Sequence, residues 1–279
     1  MLKRDLPRAG APLSSSRMEH SIYEFPEIFR RVHKEQPREI AEEVAFLRGV
    51  FSRHLKRPVR RLLDLAAGDS PHGQLFASDG IAVVGVDRSP TMIAAGRAEA
   101  RRRGLAKLRF HRRAIEKFHL AEKPFDAAIF MSETFPVMTR NEAILDHFRS
   151  VGALVRRGGI YCIDIDRMHT PRIPRKQRMW RRRKLQVGAA EVEVWADNQP
   201  MPWYSGVHSI FDLQSVIRFS NRTVATRDLV PVRYTLPCTL DLAARASAMF
   251  RLETVYTDLS FTTPLEECDR RWLGVLRRV

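Results

Sequence analysis

The chain has 279 residues, 44% hydrophobic and 29% charged, enough to bury a sizeable core as one large domain or a domain with a smaller appendage. No apolar run approaches the roughly 18 residues that span a bilayer, so an integral membrane protein is not expected; the isolated Cys162, Cys238 and Cys268 argue against a disulfide framework or a thiolate zinc site. The excess of 48 Lys+Arg over 32 Asp+Glu, a net charge of +16, suits phosphates, anionic lipid or an acidic small substrate without choosing among them.

Residues 1–19 carry Lys3, Arg4, Arg8 and Arg17 but no apolar signal region, and read as a flexible basic tail of a cytoplasmic protein, a short organellar presequence staying open. Ile40, Val44, Leu47 and Phe51 recur at steps of 4, 3 and 4, predicting one face of a helix from near Pro37. Strands and helices then alternate: strand 61–65, helix 72–77, strand 82–86, helix 91–103, strands 107–111 and 125–131, helix 142–156 and strand 160–165. Such alternation predicts an α/β fold, a mostly parallel sheet with helices on both faces. Beyond it, Val192, Val194, Trp203, Tyr204, Val207, Ile210 and Phe211 lie in short polar-broken runs that suggest antiparallel strands. A helix at 240–250, a strand at 251–257 and the run 272–279 return to the main sheet.

The local feature that points to chemistry is Leu62-Leu63-Asp64-Leu65-Ala66-Ala67-Gly68-Asp69-Ser70-Pro71-His72-Gly73, an apolar strand entering small residues and then a helix. Small residues let the backbone approach a ligand, and amides at a helix start receive polar groups. Twenty-three positions after Asp64, the next strand ends on Asp87, where a carboxylate can accept hydrogen bonds from both hydroxyls of a ribose. The pair indicates an adenosine-containing ligand at the carboxyl edge of the sheet. The absence of GxGxxG and GxxxxGK[ST] runs leaves pyrophosphate binding without support.

These residues resemble the class I S-adenosylmethionine-dependent methyltransferases. Leu63 to Ser70 matches the family's LDxGxGxG turn, with Ala66 and Ser70 in place of its first and third glycines; Ser89-Pro90-Thr91-Met92-Ile93 is similar to its DxSxxML segment. Phe125-Asp126-Ala127-Ala128 resembles FDxV, and Leu154 to Gly159 resembles LxPGG with Arg157 for proline. The resemblance covers roughly 20–166 and implies a Rossmann-like sheet with an antiparallel substrate-cap insertion, binding S-adenosyl-L-methionine. It divides the chain into tail 1–19, N-terminal helical lid 20–57, cofactor-binding core 58–166, cap 167–235 and C-terminal return 236–279. By the same resemblance Asp64 sits near the methionine amino group, Ala66 and Gly68 line the turn, and Asp87 holds the ribose, the adjacent Arg88 being a further cofactor-binding candidate. Met92, Ile115 and Glu116 lie at adenine, core filling being the plainer alternative for Met92, with Arg113 where an acidic residue is usual, and Met131 ends the fourth strand. Tyr23 in Ser21-Ile22-Tyr23-Glu24 resembles a lid segment that folds over the cofactor; a buried lid tyrosine is the plainer alternative.

Methyl transfer requires the acceptor lone pair in line with the methyl carbon, so alignment supplies much of the rate. After the fourth strand stands Met131-Ser132-Glu133-Thr134-Phe135-Pro136, without the Asn/Asp-Pro-Pro-Tyr/Phe tetrapeptide of DNA methyltransferases, which favours a small diffusible acceptor. Glu133 is the first candidate to orient or deprotonate it, and His208 in the cap the second. No metal is expected, because the histidines show no HExxH or clustered spacing, although His169 follows Asp164 and Asp166 closely enough to leave an improvised site open. Arg172 to Lys184 holds eight cations and no acid; it fits an anionic group on a small substrate, a solvated helix or loop, or nucleic-acid phosphates with Trp180 stacking a base. The resemblance of the cap and C-terminal part to small-molecule members favours N-methylation of an amino-acid-like, amino-sugar or natural-product amine. An RNA methyltransferase and a noncatalytic cofactor-binding scaffold are the alternatives, and the oligomeric state, a homo-oligomer included, stays open.

Overall fold

The computed structural model describes residues 20–34, 40–166, 177–200, 208–268 and 271–279. Helix α1 (Pro26–Lys34) follows a short 3-10 turn (Ile22–Glu24), and α2 (Ile40–His54) buries Val44, Leu47, Val50 and Phe51, the face its periodicity predicts. The alternating half then runs β1 (Arg61–Leu65), α3 (Pro71–Ser78), β2 (Ala82–Asp87), α4 (Pro90–Arg102), β3 (Leu108–Arg112), β4 (Phe125–Phe130), α5 (Asn141–Leu154) and β5 (Val155–Asp166). After four further strands, α6 (Pro237–Ala246), β10 (Phe250–Thr257) and β11 (Arg271–Arg278) complete the chain.

The main sheet has the order β10-β11-β5-β4-β1-β2-β3, with β11 antiparallel to both of its neighbours and the others parallel. Alternate side chains of each strand enter opposite cores. Leu63, Leu65, Val84, Val86 and Phe130 pack with α5 and α6, while Leu62, Val83, Ala127 and Ile129 pack with α2, α3 and α4. Burying a side chain the size of Phe148 or Leu47, both 0% exposed, stabilises the fold by about 1.5–3 kcal/mol. With parallel strands in this arrangement, all the strand-to-helix loops that follow β1, β2 and β4 open at one sheet edge.

Strand β5 begins at Val155 rather than Ile160, because the Arg157–Gly159 turn is built into the strand as an irregularity: Phe125 pairs with Val155 but Ala127 already pairs with Ile160. A Cβ on Gly159 would meet the Asp126 carbonyl oxygen at 2.7 Å, which accounts for glycine there. Helix α1 lies within the stretch 20–57 expected to be helical, where no ends are predicted for it from sequence.

The second sheet, β6 (Gln177–Val187), β7 (Ala190–Pro200), β8 (His208–Arg218) and β9 (Thr223–Arg233), is wholly antiparallel. One face packs Val192, Val194, Ala196, Leu213 and Ile217 on Ile22, Ile28 and Val32 of the N-terminal segment. The described part of the basic run is therefore strand, not helix or loop, and part of its charge is spent locally: Arg182 pairs with Glu193 at 2.7 Å and lies 4.4 Å from the Trp195 ring centroid. His169, Arg172, Arg175, Trp203, Tyr204, Val207 and the tail lie outside the described residues. No described helix is long and apolar enough to cross a membrane.

Candidate active site

The turn after β1 alternates left-handed residues, with φ of 49° at Ala66, 56° at Gly68 and 58° at Ser70, so the backbone curls in on itself before α3 begins. At Gly68 a side chain would be strained: its φ is left-handed and a Cβ would lie a tight 3.1 Å from Met92 Cε. Asp87 closes the turn from the neighbouring strand. One of its oxygens accepts the Gly68 N–H and the other the Ser89 N–H, both at 2.8 Å, while its carbonyl accepts the Arg113 N–H at 2.9 Å. The half-buried carboxylate is thereby fixed in orientation, and each oxygen keeps a lone pair for a further donor.

Asp64 is 2% exposed and accepts the Ser70 hydroxyl at 2.6 Å. Burial pushes its carboxyl up to about 6, against the opposing pull of His72 and the Ser70 hydrogen bond, and the neighbouring Asp87 and Asp69 push the same way as burial. Such a group gains from a cationic ligand, since an added positive charge restores the ionised form. Arg30 of α1 reaches over the turn to Asp69 at 2.8 Å, clasping the N-terminal segment onto it.

Tyr23 lies in the 3-10 turn whose Ser21 hydroxyl and Ile22 amide donate to Asp228 of β9. Its ring is 38% exposed, yet its hydroxyl is crowded enough that burial, with Asp228 and Asp87 nearby and Arg88 opposing, raises it to about 12. That places Tyr23 on the Asp87 side of the cleft, beside the exposed Arg88, rather than buried within the lid. Met92, 2% exposed, packs against Gly68 at the start of α4. Ile115, 9% exposed, and the half-buried Glu116 follow β3, and the Ile115 carbonyl is held by His147 Nδ1 of α5 at 2.6 Å. With Nδ1 donating, His147 Nε2 accepts the Tyr161 hydroxyl at 2.7 Å, and burial lowers this imidazole to about 4, keeping it neutral.

Beyond β4, Met131 is buried and the next two residues turn left-handed, Ser132 at φ 66° and Glu133 at φ 55°. The Ser132 N–H donates to Asp164 of β5 at 3.1 Å, and Thr134 donates to the Ser132 carbonyl at 3.0 Å. The following Phe135–Val137 turn packs against β9. His208 opens β8 opposite Arg233, whose guanidinium bonds Asn141 at the start of α5 at 2.5 Å; the His208 imidazole lies outside the described residues.

Tyr23, Asp64, Ala66, Gly68, Asp87, Arg88, Met92, Ile115, Glu116, Met131 and Glu133 thus all stand at or over the carboxyl edge of the parallel strands. Sequence reasoning missed Arg30, Glu43, His147, Arg271 and the contact between Ser70 and Asp64. Glu43 carried a signal, being a charge at i+3 from Ile40 on the apolar face of α2, where it is 0% exposed. Among the described residues no group of three or more His, Cys, Asp or Glu is arranged to hold a metal ion.

Residues 62–159 match the family described as a methyltransferase domain. The structure resembles an S-adenosylmethionine-dependent methyltransferase from Clostridium acetobutylicum, with TM-score 0.73 and 13% identity over 91% of this chain and 97% of that one. It also resembles a sugar N-methyltransferase from Streptoalloteichus sp., with TM-score 0.72 and 16% identity over 99% and 100% of the two chains. An amino pentose methyltransferase from Micromonospora echinaspora, solved with S-adenosylmethionine bound, aligns at TM-score 0.69 and 15% identity over 90% and 97%. No curated protein sequence matches the chain. Residues 62–159 thus carry a methyltransferase domain, and the chain has the fold of S-adenosylmethionine-dependent methyltransferases. The residues at hand suit that cofactor: a left-handed turn whose Gly68 leaves the backbone bare, a fixed carboxylate at Asp87 for ribose hydroxyls, and a buried carboxyl at Asp64 that gains from a cation.

Proposed function

We propose that the protein methylates an amine on a small molecule of the amino-sugar or natural-product type. The observation that carries this reading is the placement of Glu133, on a left-handed loop, at the same sheet edge as the Asp64–Asp87 turn and against β9 of the second sheet. S-adenosylmethionine, when bound, supplies an electrophilic methyl group on a sulfonium. Asp87 would accept the ribose hydroxyls, Asp64 would meet the methionine ammonium, and Met92 and Ile115 would give adenine apolar surface. Tyr23 of the N-terminal segment would add to the ribose side. Glu133 orients the acceptor amine and takes its proton, because an ammonium has no lone pair to attack with. His208 is the second base, carried at the end of the cap whose partner residue Arg233 reaches α5. The net charge of +16 favours acceptors bearing an anionic group.

The names of the similar structures support the acceptor class: a sugar N-methyltransferase, an amino pentose methyltransferase and a glycopeptide N-methyltransferase. The part of the basic run in β6 gives less support to nucleic acid, since Arg182 is already engaged by Glu193 and Trp195. Calorimetric titration of S-adenosylmethionine into the wild type and Asp87→Ala, followed by transfer assays on a panel of amino sugars, tests the reading. Binding lost in the variant and methyl incorporation into amines sustain it; binding without transfer to any amine overturns the acceptor assignment.

A further inference from the structure

We infer that Asp164, Arg271 and Glu43 form a positioning relay that holds the loop after β4 in its left-handed shape and ties that shape to helix α2. Two consecutive left-handed residues with side chains, Ser132 and Glu133, are a conformation the backbone does not adopt unless its surroundings enforce it. The enforcing contact is the Ser132 N–H on Asp164 Oδ2 at 3.1 Å, one residue before Glu133. Asp164 is 1% exposed, and the same Oδ2 faces Arg271 Nη1 at 3.4 Å. Arg271 Nη1 lies 2.7 Å from Glu43 Oε1, and the other oxygen of Glu43 meets His72 Nε2 at 2.5 Å. Side chains from β5, β11 and α2 therefore alternate in charge from the acceptor loop, and the last of them meets His72 of α3, the residue next but one after Ser70, itself the donor to Asp64.

Buried charges of this kind seldom stabilise a fold more than apolar residues of the same size would, so stability alone does not explain them; what they supply is one defined geometry. Here that geometry ends on the peptide N–H that sets where Glu133 points. Glu43 brings helix α2 into the same arrangement, so the acceptor loop and the start of α3 after the β1 turn are set by one buried network. The consequence for catalysis rests on the function proposed above, whereas the consequence for the loop does not.

Hydrogen exchange followed by mass spectrometry on the full chain, together with kinetics, tests the relay. In Asp164→Ala the peptide covering 131–135 should exchange at least about tenfold faster while β4 and β5 stay protected, because only the local hold is removed. With S-adenosylmethionine affinity within about twofold of wild type, kcat should fall about 10- to 100-fold, the cost of a misplaced acceptor group. Asp164→Asn should recover most of both, since both donors face the one oxygen, Oδ2, that the amide can retain. Glu43→Gln, which keeps the shape at the far end of the relay, should loosen the same peptide to a smaller degree, and it serves if Asp164→Ala does not fold. Wild-type protection at 131–135 in these variants overturns the relay, and so does protection lost equally across β4 and β5, the mark of a merely structural role. A loosened loop with unchanged kcat overturns its catalytic consequence. Should the wild type transfer no methyl group, the function proposed above fails while the exchange result still decides the relay.

Discussion

Asp64 makes the stability of this protein depend on pH in an unusual direction. Its carboxyl moves from 3.8 in a free side chain to about 6 in the fold, chiefly through burial, so ionising it in the native state costs about 3 kcal/mol. Below about pH 4 folded and unfolded carboxyls both keep the proton and nothing is lost; as pH rises the unfolded chain releases its proton first, and stability falls until about pH 6. Asp64→Asn removes the ionisation while its amide oxygen can still accept the Ser70 hydroxyl. Worked from the two values, the variant gains about 1 kcal/mol over wild type at about pH 4.5 and about 3 kcal/mol at about pH 7.5. Urea unfolding of both proteins across that range, without cofactor, measures the difference directly. A gain that does not change with pH, or that shrinks toward neutrality, would show that Asp64 is not held against its charge. The same variant should bind S-adenosylmethionine more weakly, because the buried anion is what a cationic ligand relieves.

His147 supplies the opposite slope. Its imidazole is lowered from 6.5 to about 4, so the unfolded chain takes up a proton that the fold refuses, and about 3 kcal/mol of stability is lost as pH falls through that interval. His147→Phe should therefore cost about 2–5 kcal/mol at neutral pH, by stranding the Ile115 carbonyl and the Tyr161 hydroxyl, and less at about pH 4; denaturant midpoints at the two pH values check this. Asp87→Ala strands the Gly68 and Ser89 amides and removes the ribose acceptor, for a loss of cofactor affinity of about 3 kcal/mol, on the order of a hundredfold by calorimetry. Gly68→Val, forced to a φ of 56° with Met92 alongside, should cost about 1–3 kcal/mol of stability, seen as a lower melting temperature, and abolish the rise in that temperature that S-adenosylmethionine produces in the wild type.

The parallel half of the fold was legible because its strands are short apolar runs that end on turn residues, and their boundaries move by only a residue or two; β5 is the exception, where a built-in irregularity lengthens the strand in a way no periodicity announces. Helix α1 falls in the stretch 20–57 expected to be helical, and its own signal went unread: Phe25, Ile28, Phe29 and Val32 recur at helical spacing and face the second sheet. The strand ends carrying Asp64, Gly68 and Asp87 could be read from their spacing. The groups that set their geometry could not, since His147 meets Ile115 across 32 positions and Arg271 meets Glu43 across 228. A side chain whose role is to hold another across the sheet leaves only a misplaced polarity in the sequence, as Glu43 does on the apolar face of α2.

Methyl transfer from S-adenosylmethionine to a small-molecule amine is tested by mass spectrometry of an amino-sugar panel incubated with protein and cofactor, with S-adenosylhomocysteine quantified in parallel. An amino sugar should gain one methyl group on nitrogen, with S-adenosylhomocysteine formed in equal amount and both products lost in Asp87→Ala. Cofactor binding with no methylated amine anywhere in the panel, or methyl groups found only on oxygen, would contradict it.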